Sequence, residues 1–199
     1  MSARRAAPLK IDAGGWVTGI ERRPSPHFDA RPAGVAIELL VIHNISLPPG
    51  RFGGGDVLRL FAGSLDCSAH SFYASLIDLR VSAHFFIDRA GRIVQLVSCA
   101  DRAWHAGVSA FEGRDDCNDF SIGIELEGTD TSGFTATQYA MLARLTRALA
   151  GAYPLGALRG HCHIAPERKT DPGRFNWRRL RRDAGLPAAW LPRAPVPVA

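Results

Sequence analysis

From Val35 to Ile42 the chain is strongly apolar (VAIELLVI), and the run stops abruptly at a polar pair, His43-Asn44. So short and apolar a run fits a buried strand that delivers a polar residue at its end. Glu38 to His43 is therefore expected as a central strand, which requires neighbours on both sides and cover above. The chain supplies candidates. Phe120 to Leu126 alternates cleanly, with Ile122, Ile124 and Leu126 on one face and Ser121, Gly123, Glu125 and Glu127 on the other. Ser82 to Asp88 and Ile93 to Ser98 flank Arg89-Ala-Gly-Arg92, a hairpin signal. Thr135 to Tyr153 predicts a helix: Thr135 and Gln138 form a capping box, and Tyr139, Leu142, Thr146, Leu149 and Tyr153 share a core-facing stripe. Asp56 to Leu79 reads as one or two helical segments broken near Gly63, and Asn176 to Gly185 as a short basic helix. Strands mixed with helices place the chain in the α/β or α+β class, as a single sheet covered by helices.

With 199 residues, 46% apolar and 22% charged, one globular domain with a sizeable core is expected. Its bounds are drawn at 21–185, after an N-terminal segment, 1–20, and before a Pro/Ala-rich tail, 186–199, expected to be flexible. Arg22 to Pro32 is proline-punctuated and reads as an extended surface arm, while Ser46 to Gly55 and Ala100 to Asn118 read as loops.

The net charge of +5 comes almost entirely from arginine, since Lys10 and Lys169 are the only lysines. Arg178, Arg179, Arg181 and Arg182 could meet nucleic acid, but no binding motif accompanies them, and a solvated basic face is the expectation. Cys67, Cys99, Cys117 and Cys162 form no CxxC pair and read as free thiols of a reducing cytosol. The first twenty residues contain no apolar core of a signal peptide, and no apolar run is long enough to cross a membrane. A cytoplasmic protein with no membrane partner is the expectation.

Chemistry concentrates in Gly160-His-Cys-His-Ile-Ala-Pro-Glu-Arg-Lys-Thr-Asp-Pro-Gly173, which packs two histidines, a lysine and an aspartate into one turn-rich stretch. Joined to His43, it offers two imidazoles and a carboxylate, a donor set that suits Zn²⁺ and leaves a fourth position open for water, as hydrolases require. Spacing alone leaves the ligand set open. Cys162 is an alternative thiolate ligand, ranked below Asp171. Glu125 and Glu127 lie on one face of one strand, and alternation does not separate them. His84 and His105 read as structural or as supports to ligands, whereas His27 and His70 have no supporting context.

VIHNISLPPGRFGG, LRVSAHFFIDRAGRIVQLV, RAWHAGVSAFEGRDDCNDFSIGIELEGTD and GHCHIAPERKTDPG together resemble the zinc-dependent N-acetylmuramoyl-L-alanine amidases, and within them the cytoplasmic AmpD-type enzymes that act on 1,6-anhydromuramoyl peptides. The similarity runs from about Trp16 to Trp177. It implies a mixed sheet with helices on it, a fold shared with peptidoglycan-recognition proteins. It implies zinc on His43, His161 and Asp171, with Glu125 as the catalytic carboxylate and Lys169 as a second catalytic group. Asn44, Arg80, Trp104 and Arg168 would line the groove for a muropeptide substrate. A recognition module that binds peptidoglycan fragments without cutting them is the alternative, but such a module is expected to lack part of the ligand set. One position departs from the family: His163 stands where an aspartate is usual, two residues after a presumed ligand. Its imidazole is expected to support the site by N–H donation in place of the carboxylate's acceptance, or to compete for metal.

Overall fold

The computed structural model describes residues 7–192. Ten strands and four α-helices follow one another as β1 (Glu21–Arg22), β2 (Phe28–Ala30), β3 (Leu39–Ile45), α1 (Asp56–Phe61), β4 (Phe85–Ile87), β5 (Ile93–Gln95), β6 (Asp101–Ala103), β7 (Ala110–Phe111), β8 (Arg114–Asp115), β9 (Ser121–Glu127), α2 (Ala136–Ala152), β10 (Ala157–Gly160), α3 (His161–Ile164) and α4 (Trp177–Ala184). Six strands make one mixed sheet in the order β1-β5-β4-β9-β3-β10. Strands β4, β9, β3 and β10 run parallel, and β5 closes an antiparallel hairpin on β4.

The two apolar sequences take the interior positions because both of their faces can be buried there. On one face Leu40, Ile42, Ile122, Ile124 and Leu126 pack against Tyr139, Leu142 and Leu149 of α2 and Leu180 of α4. Thr135 and Gln138 cap α2 reciprocally, as the sequence indicates. On the opposite face Phe86 and Val94 are covered by Val57, Leu58, Leu60 and Phe61 of α1. Leu39 and Val41 meet Ala106, Cys117 and Phe120 there. The second face thus keeps room at the carboxyl ends of β9, β3 and β10 for polar side chains, the usual place for a site in such a sheet.

Three stretches carry more structure than their sequence reading specifies. The arm at 22–32 is extended but tied down. Its β2 pairs with β6, and Arg31 donates to the carbonyls of Cys99, Asn118, Asp119 and Ser121 at 2.8–3.2 Å. The loop at 100–118 holds β6 and the β7–β8 ribbon, strands of two or three residues that are too short to imprint a period on the sequence. The segment before Glu21 is stitched to β5: the Val17 N–H donates to Gln95 Oε1 at 2.7 Å, and Gln95 Nε2 donates to the Gly15 carbonyl at 2.9 Å. After α4, Leu186 is buried and Trp190 packs against the main core, while 193–199 lie outside the described residues.

Candidate active site

His43 lies near the end of β3, and its register partner on β9 is Glu125. Partners across a ladder project to the same face, so strand pairing alone puts an imidazole beside a carboxylate. On the other side of β3, Gly160 pairs with Ile42, and the next residue, His161, opens α3 against His43. The turn-rich loop then returns Asp171 to the same point. His43 Nδ1 stands 3.1 Å from His161 Nδ1 and 3.2 Å from Asp171 Oδ2, and His161 Nδ1 is 3.4 Å from Asp171 Oδ1. Among the described residues these three form the one group with metal-ligating atoms so gathered, all within 4.8 Å.

The remote nitrogens fix which atoms face inward. His161 Nε2 is 3.0 Å from the Ala106 carbonyl, which can only accept, so a neutral His161 carries its proton there and turns a lone pair inward from Nδ1. His43 Nε2 is 3.0 Å from His105 Nδ1, and His105 Nε2 is 3.3 Å from Ser121 Oγ, a relay in which each ring can donate outward. Two lone pairs and a carboxylate converging within a buried space repel one another unless a cation lies between them. Donor type, convergence and outward hydrogen bonding all fit zinc.

Burial lowers the His43 pKa to about 4 and so favours the neutral, ligating form. For Asp171, burial acts to raise the pKa, but the hydrogen bonds with His161 and His43 outweigh it, and the group is held well below the ordinary carboxylate range. Glu125 goes the other way. Burial, reinforced by the negative charge of Asp171, pushes its pKa well above the usual value. Its Oε2 is buried with no hydrogen-bond partner. Glu127 differs in use although it shares the strand face: its two oxygens accept from Gly53 N–H at 2.6 Å and Arg89 N–H at 3.0 Å. The structure therefore separates two carboxylates that alternation leaves equivalent.

A hollow of about 460 Å³ opens over the cluster, lined by Glu125, His161, Lys169, Asp171, Asn44 and Trp104, with an apolar wall that includes Phe72, Leu76 and Leu79. Asn44 donates from Nδ2 to Asp130 at 3.2 Å, while its Oδ1 is buried without a partner. Trp104 is oriented by its Nε1–H to Asp29 at 3.1 Å and by a stacked His27 ring. Arg80 does not reach this lining. It is exposed and borders an adjoining hollow with Leu76 and Leu79. Arg168 is also exposed and donates to the Val108 carbonyl.

His163 corrects its sequence expectation. Its Nδ1 accepts the Gly160 N–H at 2.8 Å, so it replaces the usual carboxylate by accepting, not donating. Burial, with the charge of Arg159, lowers its pKa to about 4, and the neutral ring keeps the lone pair this requires. Neither His163 nor Cys162 belongs to the gathered ligand group. His105 fits its sequence reading as a support: its Nδ1 meets the outer nitrogen of His43, and its ring does not join the ligand group. Gly123 makes room for it, since a Cβ there would come within 2.3 Å of the His105 ring.

Residues 33–174 match the family model described as N-acetylmuramoyl-L-alanine amidase. The 1,6-anhydro-N-acetylmuramyl-L-alanine amidase AmpD of Escherichia coli is 58% identical over 170 residues, covering 84% of this chain and 93% of that protein. Its Haemophilus influenzae counterpart is 52% identical over 169 residues, covering 83% and 92%. A crystal structure of a selenomethionine AmpD derivative superposes with a TM-score of 0.84 at 55% identity, covering 86% of this chain and 97% of that one. The E. coli amidase AmiD, solved with anhydro-N-acetylmuramic acid-L-Ala-D-γ-Glu-L-Lys, gives 0.57 at 28% identity over 91% and 67%. Sequence and backbone agree along the whole length that carries the site, and the chain belongs to the N-acetylmuramoyl-L-alanine amidase family.

Proposed function

We propose that this amidase hydrolyses the amide between the lactyl group of 1,6-anhydro-N-acetylmuramic acid and the L-alanine of the stem peptide, in cytoplasmic recycling of peptidoglycan fragments. His43, His161 and Asp171 hold the zinc. The observation that carries the reading is the unpartnered Glu125 oxygen beside three converging ligand atoms. The substrate class is supported by the AmpD relatives, whose names specify the anhydro sugar, and by their coverage of the chain.

Bound at the three ligands, zinc supplies Lewis acidity and shifts the pKa of a water from ~16 toward ~7. Glu125, its basicity raised by burial, takes the proton of the attacking water at Oε2 and passes it to the leaving alanine nitrogen. Lys169 donates from Nζ to the oxygen that gains charge as the carbonyl becomes tetrahedral. The free Oδ1 of Asn44 accepts an N–H of the peptide, and Trp104 lies against the sugar ring. Arg80 and Arg168, outside the hollow's lining, act on the more distant peptide, where a guanidinium can pair with a stem carboxylate.

Mass spectrometry of products from anhydromuramoyl tripeptide tests the reading. Free tripeptide should appear with zinc-loaded protein, vanish after chelation and return on adding zinc. Full turnover by verified metal-free protein, or efficient release of stem peptides from intact sacculi, would overturn it.

A further inference from the structure

We infer that Asp130 is a positioning residue for the centre, one carboxylate that fastens the chain neighbours of two metal-ligating side chains to each other. The inference rests on the proposed ligand set. Asp130 lies just beyond β9 and touches none of the three ligands in the hydrogen bonds it makes. Its Oδ1 accepts from Asn44 Nδ2 at 3.2 Å and from the Gly173 N–H at 2.8 Å, and its Oδ2 accepts from Thr170 Oγ1. Asn44 follows His43 directly. Thr170 directly precedes Asp171, and Gly173 comes two residues after it. The clamp therefore grips the loop on both sides of Asp171 and ties it to the strand that carries His43.

Steric fit says the approach is close and specific. A Cβ on Gly173 would stand 2.3 Å from the Asp130 carbonyl oxygen and 2.5 Å from its Cα, both backbone atoms that cannot swing away. The loop between α3 and α4 has no regular ladder of its own to hold it. Besides this clamp the Cys162 N–H donates to the Asp171 carbonyl at 2.9 Å, and before Thr170 the Lys169 N–H donates to the Ala165 carbonyl at 3.0 Å and Arg168 donates to the Val108 carbonyl. Lys169 is carried on the same loop, immediately before Thr170. Loosening the clamp would displace a ligand and the Lys169 ammonium together, while leaving the β3–β9 pairing and the α2 face untouched.

The test is the zinc dissociation constant by competition with a chromogenic chelator, measured with the melting temperature of the metal-free protein and with kcat and KM on anhydromuramoyl tripeptide. Three variants serve: Asp130→Ala, Asp130→Asn and the milder Thr170→Val, at an exposed position where folding is not at risk. Removing a group that orients metal ligands typically weakens binding by about 10–100-fold. Asp130→Ala should fall in that range, with kcat reduced more than KM changes. Thr170→Val should move the same way by a smaller factor. Asp130→Asn should recover most of the loss, because its Oδ1 still accepts from Gly173 and the Thr170 hydroxyl can turn to accept from the new amide. If the parent binds zinc and both Asp130→Ala and Thr170→Val bind it equally well, Asp130 does no positioning, however much melting temperature they lose. A parent that takes up no zinc refutes the ligand set first and this inference with it.

Discussion

Glu125 and His43 are register partners on adjacent parallel strands, and the carboxylate so placed keeps one oxygen free of any hydrogen bond. Glu127, two residues on, spends both oxygens on Gly53 and Arg89. Glu125→Ala should therefore lower kcat by about 10²–10⁴ with zinc content unchanged. Glu127→Ala should leave the chemistry nearly intact and instead cost about 1–3 kcal/mol of stability by stranding two backbone donors. Rate measurements, elemental analysis and denaturant melts distinguish the two. Equal rate losses, or zinc lost with Glu125, would reverse the roles.

Gly123 admits the His105 ring that receives the outer nitrogen of His43. Gly123→Ala should push that ring out and weaken zinc binding by about tenfold or more. His105→Ala should weaken it similarly. Chelator competition gives the answer, and unchanged affinity in both variants would show that His43 needs no support.

His84 is buried, and that burial, with Arg31 nearby, lowers its pKa to about 3. The unfolded chain, with an ordinary histidine pKa of about 6.5, binds the proton first, so stability is complete above that pH and declines as pH falls from there toward about 3. The decline amounts to roughly 1.4 kcal/mol per pH unit for this one group. Metal-free protein should unfold more easily at pH 5 than at pH 7, and His84→Asn, with nothing to protonate, should show a shallower pH slope. An identical slope in both proteins would assign the acid sensitivity elsewhere.

Because His163 accepts the Gly160 N–H, an aspartate can take over the same bond. His163→Asp should keep zinc affinity, activity and melting temperature near parental values. His163→Ala should lose about 0.5–2 kcal/mol, the usual effect of removing a group that caps a helix start. Loss of zinc from the aspartate variant would make His163 a ligand.

Arg80 stands beside the apolar wall, not over the cluster. If it pairs with a stem carboxylate, Arg80→Ala should reduce kcat/KM for the tripeptide substrate more than for one lacking that carboxylate. Kinetics on both substrates decide it. Equal reductions would leave Arg80 without a role in recognition.

What the sequence conveys and what it conceals follow from distance along the chain. The apolar runs of β3 and β9 and the capping box of α2 are local patterns, and each element lies where its pattern puts it. The donor types of the centre are also visible as residues. The separate fates of Glu125 and Glu127 are not, because two positions of one alternating strand differ only through partners supplied by remote loops. The same holds for Asp130 and for which ligand His105 supports, since both act through hydrogen bonds to residues far away in sequence. The pairing of β2 with β6 escapes notice because it spans three residues and is held by arginine contacts, not by an apolar rhythm.

Arg31 joins four carbonyls from the segment between Cys99 and Ser121, and Val17 is wholly buried against the β5 side of the sheet. Both precede residue 33, where the family match begins, and Leu180 and Leu186 of the main core follow residue 174, where it ends. A protein trimmed to the matched span would expose apolar side chains at both cuts and leave those carbonyls to water. The smallest autonomous folding unit is therefore expected to be wider than the matched span, and shortened versions should retain Ala7 through Trp190, since Leu9 packs on the main core and the Ala7 carbonyl accepts from Arg144.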